Sequence, residues 1–295
     1  MTDDLRAALA RPDLPPLTEQ RLRGLLTVLE GDAQSALESF TMAEPGPHAV
    51  VSFGDVDTAD LIVLLLHGTE TDLLAFPAWA DAAQRLCADV IRTCVARGKP
   101  RRIATIAWFA WDSGTHVSAL STRHATIGAA RLAVDLGRLR ARNAHARIAL
   151  ATYSYSSTLL GELFAMNLGG DVHTAFSIAS AGITHAAKVA LADAISRGDL
   201  VLHVTEGAND SIAPLGRLGQ HPVDPRDVPG AEVYESDGGE APAIGGGTTI
   251  GAAVEGHASQ TSVDDRGRHI GYYDEHAQAY LIMVSRLADA AVAAD

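Results

Sequence analysis

Residues 147–168 read "RIALATYSYSSTLLGELFAMNL": an apolar run, three serines within four positions, then apolar residues at helical spacing. The first part predicts a strand and the last a helix, which puts the serines on a strand–turn–helix bend. Such a bend can expose a nucleophile, or its serines can simply cap the helix. An exposed nucleophile there needs small residues two positions to either side, because strand and helix approach closely. Centring on Ser154 places Thr152 and Ser156 there; centring on Ser156 places Ser154 and Thr158. The usual G-x-S-x-G thus reads T-Y-S-Y-S, and β-branched Thr152 is expected to strain the tight turn. The motif alone leaves Ser154, Ser156 and a plain cap open.

The strand–helix rhythm continues on both sides. Apolar runs at Ala49–Phe53, Leu61–Leu66, Ile103–Phe109, Ile148–Tyr153, Thr174–Ile178 and Leu200–Thr205 predict strands. Helical spacing appears at Pro77–Val95, Arg123–Arg142, Thr158–Leu168, Ala186–Ser196 and His276–Ala293. This alternation argues for an α/β fold with a mostly parallel sheet and helices on both faces. The short connection "GDVDTAD" predicts that the first two strands form an antiparallel hairpin at the sheet edge. Leucines at helical spacing over Leu17–Phe40 carry no strand signal, so residues 1–45 are expected to be an N-terminal helical extension, with the α/β domain in 46–295. Gly207–Gly256 breaks the rhythm. Its "DGGEAPAIGGGTTIG" lacks the following helix that a phosphate-binding loop needs, so a flexible or surface loop is expected.

Composition narrows the function. The 295 residues carry a formal charge of −13 and are 47% hydrophobic, which provides a core but no basic face for nucleic acid. The "MTDDLRAALA" start lacks a signal-peptide core and the most apolar run, "LIVLLLHG", is too short to span a membrane, so a cytoplasmic protein is expected. Lysine occurs only at Lys99 and Lys188, an arginine bias that suggests a GC-rich, actinobacterial genome. Cys87 and Cys94 fall on one predicted helix about 10 Å apart, too far for a disulfide. No H-E-x-x-H or zinc-type cysteine spacing occurs, so neither a metal nor an organic cofactor is expected.

Chain order favours catalysis. A hydrolase triad on this kind of fold runs Ser, acid, His. Asp210 lies in "EGANDSIAP", on the loop after the strand "LVLHVT", where it would orient an imidazole; Glu206 is nearer the strand and less suited. His257 in "VEGHASQ" and His269 in "GRHIGYYDEH" both precede the last helix, whereas His276 starts it and is expected to be structural or solvent-facing. "LLLHGTETD" (Leu64–Asp72) runs from a strand into a turn. The N–H of Thr69 there and that of Tyr155 are the expected oxyanion donors.

These motifs resemble those of an actinobacterial α/β-hydrolase family known as a domain of unknown function. "SFGDVDTADLIVLLLHGTET", "IATIAWFAWD" and "TYSYSST" are similar to its strand, Trp-ended strand and Gly-His-Ser-Tyr-Gly-Ser-Thr elbow, from about Val50 to Ala288. Matching Tyr155, Ser157 and Thr158 places the nucleophile at Ser154. Thr152 and Tyr153 stand for Gly-His, Ser156 for the second Gly, and His67 where the family tends to have Pro. The resemblance supports Asp210 as the acid and admits both His257 and His269 as the base, His257 being the first choice. It implies an α/β-hydrolase fold with a serine nucleophile but carries no substrate class; with the Ser, acid, His order, the expected function is a serine hydrolase acting on an ester or related acyl bond of a small molecule. The altered elbow keeps two alternatives open: a biosynthetic acyltransferase or cyclase, and a non-catalytic binding protein. The sequence leaves the oligomeric state open, a homodimer included.

Overall fold

The computed structural model describes residues 2–264 and 267–293. Three of the apolar runs become strands with the bounds expected of them: β3 (Leu61–Leu66), β4 (Ile103–Phe109) and β6 (Thr174–Ile178). Every residue of these strands is buried, which is why continuous rather than alternating hydrophobicity marks them. Beside them lie β2 (His48–Phe53), β5 (Arg147–Tyr153), β7 (Val201–Thr205) and the two-residue β8 (Glu232–Val233). The sheet order is β1-β2-β4-β3-β5-β6-β7-β8, with β1 at Ser35–Thr41. Pairing from β4 through β8 is parallel, and β2 runs antiparallel to both its neighbours.

Helices cover both faces. α1 (Thr2–Leu9), α2 (Pro16–Gly31), α3 (Phe76–Ala96) and α8 (Gln278–Val292) bury Leu5, Leu22, Leu86 and Leu287 in one core with Leu61, Val63 and Leu65 of β3. α4 (Arg123–Arg142), α5 (Ser156–Ala165) and α6 (His185–Ser196) form the other core, with Ile62, Leu64 and Leu66. Alternate residues of β3 therefore serve opposite cores, as the twofold period of a strand dictates. Cys87 and Cys94 are buried free thiols on α3. Among the described residues no helix is long and apolar enough to cross a membrane.

Three expectations need correction. The N-terminal segment is not helical throughout: α2 ends at Gly31, and Ser35–Thr41 is the edge strand β1. Of that strand only Leu37 is buried, so it carries almost no apolar signature, and the helical leucine spacing ran over it. Secondly, β2 and β3 do not form a hairpin. β4 inserts between them, pairing antiparallel with β2 and parallel with β3, because the crossover through α3 returns the chain to that side. Thirdly, the glycine-rich stretch lies at the surface, as one of its two expected forms had it, but as a hairpin of β9 (Asp237–Pro242) and β10 (Thr248–Ala253) instead of an irregular loop. Gly245, Gly246 and Gly247 turn it with positive φ, a conformation other residues rarely adopt. Beyond it lies a small hairpin of β11 (Ser262–Asp264) and β12 (Gly267–His269). The remaining helix is one turn, α7 (Ala213–Gly216).

Candidate active site

β3 and β5 are neighbours, Leu66 opposite Thr152, although the chain first crosses to β4 on one side and then returns to β5 on the other. Such a reversal opens a crevice beyond the carboxyl ends of the strands. Into it the chain leaves β3 as His67-Gly68-Thr69 and β5 as Ser154-Tyr155.

Ser154 has φ +56°. For a residue with a Cβ this left-handed geometry is costly, on the order of 1–2 kcal/mol, and it persists here because the surroundings hold it. Its N–H donates to Ile178 O (2.9 Å), and its carbonyl accepts from Ser157 N–H (3.0 Å) as α5 begins. Ser156 Oγ accepts from Tyr153 N–H (2.8 Å) and lies 2.9 Å from the carbonyls of both Leu66 and Tyr153. Fully buried and engaged on both sides, it ties the bend to β3 and does not face a cavity. Thr152 is not the strained residue expected from the motif. It is the penultimate residue of β5, where β-branching is favoured, and its hydroxyl donates to Phe176 O (2.7 Å). Within the bend from Thr152 to Thr158, Ser154 is the residue with a left-handed φ.

A continuous hydrogen-bonded chain starts at that serine. Ser154 Oγ lies 2.8 Å from His257 Nε2, and His257 Nδ1 lies 2.7 Å and 3.0 Å from the two oxygens of Asp210. Asp210 is 4% exposed. Its Oδ1 also accepts from the N–H groups of Ile212 and Ala213 (3.1 and 3.0 Å), so the residue orients the ring and caps α7 at once. Tyr272 OH donates to Asp210 Oδ2 (3.1 Å) and accepts from Gly207 N–H (2.8 Å). Tyr153 OH donates to the carbonyl of His257 (2.8 Å), with the two rings 5.2 Å apart. Burial, and next the Asp210 charge, raise both phenols well above their ordinary value, which keeps them as donors.

The other candidates lie apart from this chain. His269, on β12, has Nδ1 2.9 Å from Glu255 Oε2. His276 is largely exposed beside Glu275. Glu206 is buried against the guanidinium groups of Arg217 and Arg226; burial raises its carboxyl and Arg217 opposes this. Among the described residues no group of three or more His, Cys, Asp or Glu is placed to hold a metal ion.

Gly68 abuts the serine: a Cβ there would come 2.9 Å from Ser154 Cβ. The next residue, Thr69, and Tyr155 line the same cavity as Ser154 and His257. Among the described residues neither backbone N–H donates a hydrogen bond, so both are available to an incoming oxygen. His67 Nδ1 donates to Gly68 O (2.9 Å), and its ring packs 4.4 Å from Phe109. Complete burial pushes His67 down to about 4, so the ring is neutral at ordinary pH.

A family model described as alpha/beta hydrolase matches residues 45–220. The chain belongs to the alpha/beta hydrolase family. Among solved structures it is similar to an alpha/beta hydrolase from the metagenome of Lake Arreo (9% identity over 99% of this chain and 95% of that one, TM-score 0.47). It is also similar to an α/β serine hydrolase without lid from Xanthomonas campestris (18%, 69% and 84%, TM-score 0.41). A third is a cold-adapted esterase from an Arctic intertidal metagenomic library (12%, 69% and 85%, TM-score 0.40). No curated protein matches.

In this alpha/beta hydrolase the matched segment spans Thr69, Ser154 and Asp210 and stops short of His257. Three contributors were invisible in sequence. Tyr153 and Tyr272 read as ordinary aromatics, because only the fold brings their hydroxyls to the His257 carbonyl and the Asp210 carboxylate. His221, fully buried, has its ring nitrogens 2.8 Å from Ala181 O and 2.7 Å from Ala119 O. The ring thereby lies between two segments that wall the cavity beside Ser154. "GYYD", the signal for Tyr272, was legible only as a neighbour of His269.

Proposed function

We propose that the protein is a serine hydrolase acting on the ester or related acyl bond of a small molecule. Ser154 Oγ attacks the acyl carbonyl while its proton passes to His257 Nε2. Asp210 holds the ring through Nδ1–H and stabilises the imidazolium. The developing oxyanion is received by the N–H groups of Thr69 and Tyr155, neither of which is engaged in another hydrogen bond among the described residues. His257 then gives its proton to the leaving oxygen, which departs and leaves the acyl group on Ser154. In the second half His257 takes a proton from water, the resulting hydroxide attacks the acyl carbon, and Ser154 regains its proton as the acid leaves.

The observation that carries this reading is the unbroken run from Ser154 Oγ through His257 to the Asp210 carboxylate, each link at 2.7–3.0 Å. The glycines replaced in the elbow do not open a gap in it: Ser156 fills the place of one with a hydroxyl bonded on both sides.

Hydrolysis of p-nitrophenyl esters tests the assignment. Ser154→Ala should abolish turnover, and Asp210→Asn and His257→Ala should each lower kcat by about 10⁴. His269→Ala should stay within twofold of the parent. Activity lost in His269→Ala and kept in His257→Ala would overturn it.

A further inference from the structure

We infer that the ester this site accepts is uncharged and carries an apolar acyl group of medium size; this rests on the hydrolase reading above. The cavity that meets Ser154 Oγ has a volume of about 320 Å³, at the small end of the roughly 300–1,000 Å³ range of ligand pockets. Away from the serine it is walled by Ala119, Leu120, Ala181, Ile212, Ala213 and Leu215, and no Asp, Glu, Lys or Arg lines it. In a chain with 36 acidic and 23 basic residues, a site lined by none of them offers no guanidinium, ammonium or carboxylate to a charged substrate; His116, also in the lining, has its ring 3.3 Å from Thr69 Oγ1 and 3.4 Å from Glu70 Oε2. The acyl group stays bonded to Ser154 Oγ after the leaving group departs, so through both halves of the reaction its chain starts in the space that meets the serine oxygen.

The mouth carries the same chemistry outward. Leu120, Ile212 and Leu215 are exposed as well as lining the cavity, and Val117 and Leu218, next along the same two segments, are each 80% exposed. Three large apolar side chains that are both exposed and part of the lining make the mouth of the cavity apolar. These segments are a built wall. Gly216 packs on Ala181 so closely that a Cβ would come within 2.6 Å of it. Gln220 N–H donates to Leu120 O (2.8 Å), and His221 bridges Ala119 and Ala181. A chain too long for the cavity therefore has a fixed apolar rim to run over.

The test is kcat/KM for p-nitrophenyl esters from acetyl to hexadecanoyl, with the monosuccinyl ester as a charged control. Each methylene that enters the cavity should raise kcat/KM about fourfold, the equivalent of about 0.8 kcal/mol per buried CH₂. We expect at least a hundredfold rise from acetyl to octanoyl, and a monosuccinyl rate below that of butanoyl. Leu215→Asp should lower the octanoyl rate at least tenfold more than it lowers the acetyl rate, with native circular dichroism reporting that the variant is folded. An acetyl ester used as well as octanoyl, a preferred monosuccinyl ester, or equal losses for both chains in Leu215→Asp would each overturn the inference. Should no ester be turned over through Ser154, the hydrolase reading fails by itself. Ethyl- and octylboronic acids, which bond a serine without turnover, still decide the chain-length question: tenfold or tighter binding of the octyl compound supports it, and equal binding overturns it.

Discussion

Acidification should destabilise the fold through His67, and the size of the effect follows from its surroundings. The ring is 1% exposed, packs against Phe109 and Trp111, and its proton-binding is pushed from the ordinary 6.5 down to about 4 by burial. The unfolded chain therefore binds a proton more readily than the native one. Stability from the neutral buried ring is fully present above pH 6.5, declines as pH falls through the interval, and is exhausted below about 4. The whole gap is worth about 3 kcal/mol, of which about 2 kcal/mol is lost between pH 7 and pH 5. Other buried imidazoles, His203 among them, also resist protonation, so the parent protein alone does not isolate His67. His67→Phe does, because it keeps an aromatic ring among its neighbours and removes the titration. Urea unfolding of both proteins at pH 7 and pH 5 gives the comparison. His67→Phe should be less stable than the parent at pH 7, having lost the bond to Gly68 O, yet its loss on going to pH 5 should be smaller by about 2 kcal/mol. Equal losses in the two proteins would refute the argument that burial keeps this ring neutral.

Other perturbations have defined outcomes. Tyr272→Phe removes the hydroxyl shared by Asp210 Oδ2 and Gly207 N–H; ester kcat/KM should fall about five- to thirtyfold, as for one or two net hydrogen bonds, and an unchanged value would remove Tyr272 from the account. Gly68→Ala forces a methyl to 2.9 Å from Ser154 Cβ, so turnover should fall at least tenfold while circular dichroism stays native; full activity would mean that Gly68 and Ser154 are less closely opposed. Arg217→Gln strips one of two guanidinium partners from buried Glu206. Breaking such a pair outright costs about 3–5 kcal/mol, and with Arg226 remaining about 2 kcal/mol is expected in urea unfolding; no loss would show that Arg226 suffices.

How much of this was legible in the sequence depends on where each signal lives. Strands such as Leu61–Leu66 and Ile103–Phe109 are buried on both faces, so their composition alone marks them. β1 was not legible: an edge strand with one buried residue, Leu37, has no face for a pattern to reveal. The order Ser, acid, His pointed to Ser154 and Asp210, since loops after successive parallel strands converge on one end of the sheet. Ser154 and Ser156 could not be separated by the motif. Their difference is one of backbone geometry, a left-handed φ at Ser154 and two closed hydrogen bonds at Ser156. The choice between His257 and His269 was equally beyond it, because Tyr153 holds the 257 carbonyl from 104 residues away, and nothing local to either histidine records that contact.

Covalent labelling asks whether the hydroxyl of Ser154 is the group that His257 activates. A fluorophosphonate incubated with the folded protein, followed by peptide mass spectrometry, should leave one adduct, on Ser154, at a rate cut at least a hundredfold in His257→Ala. An adduct on another residue, or none at all, would contradict the account.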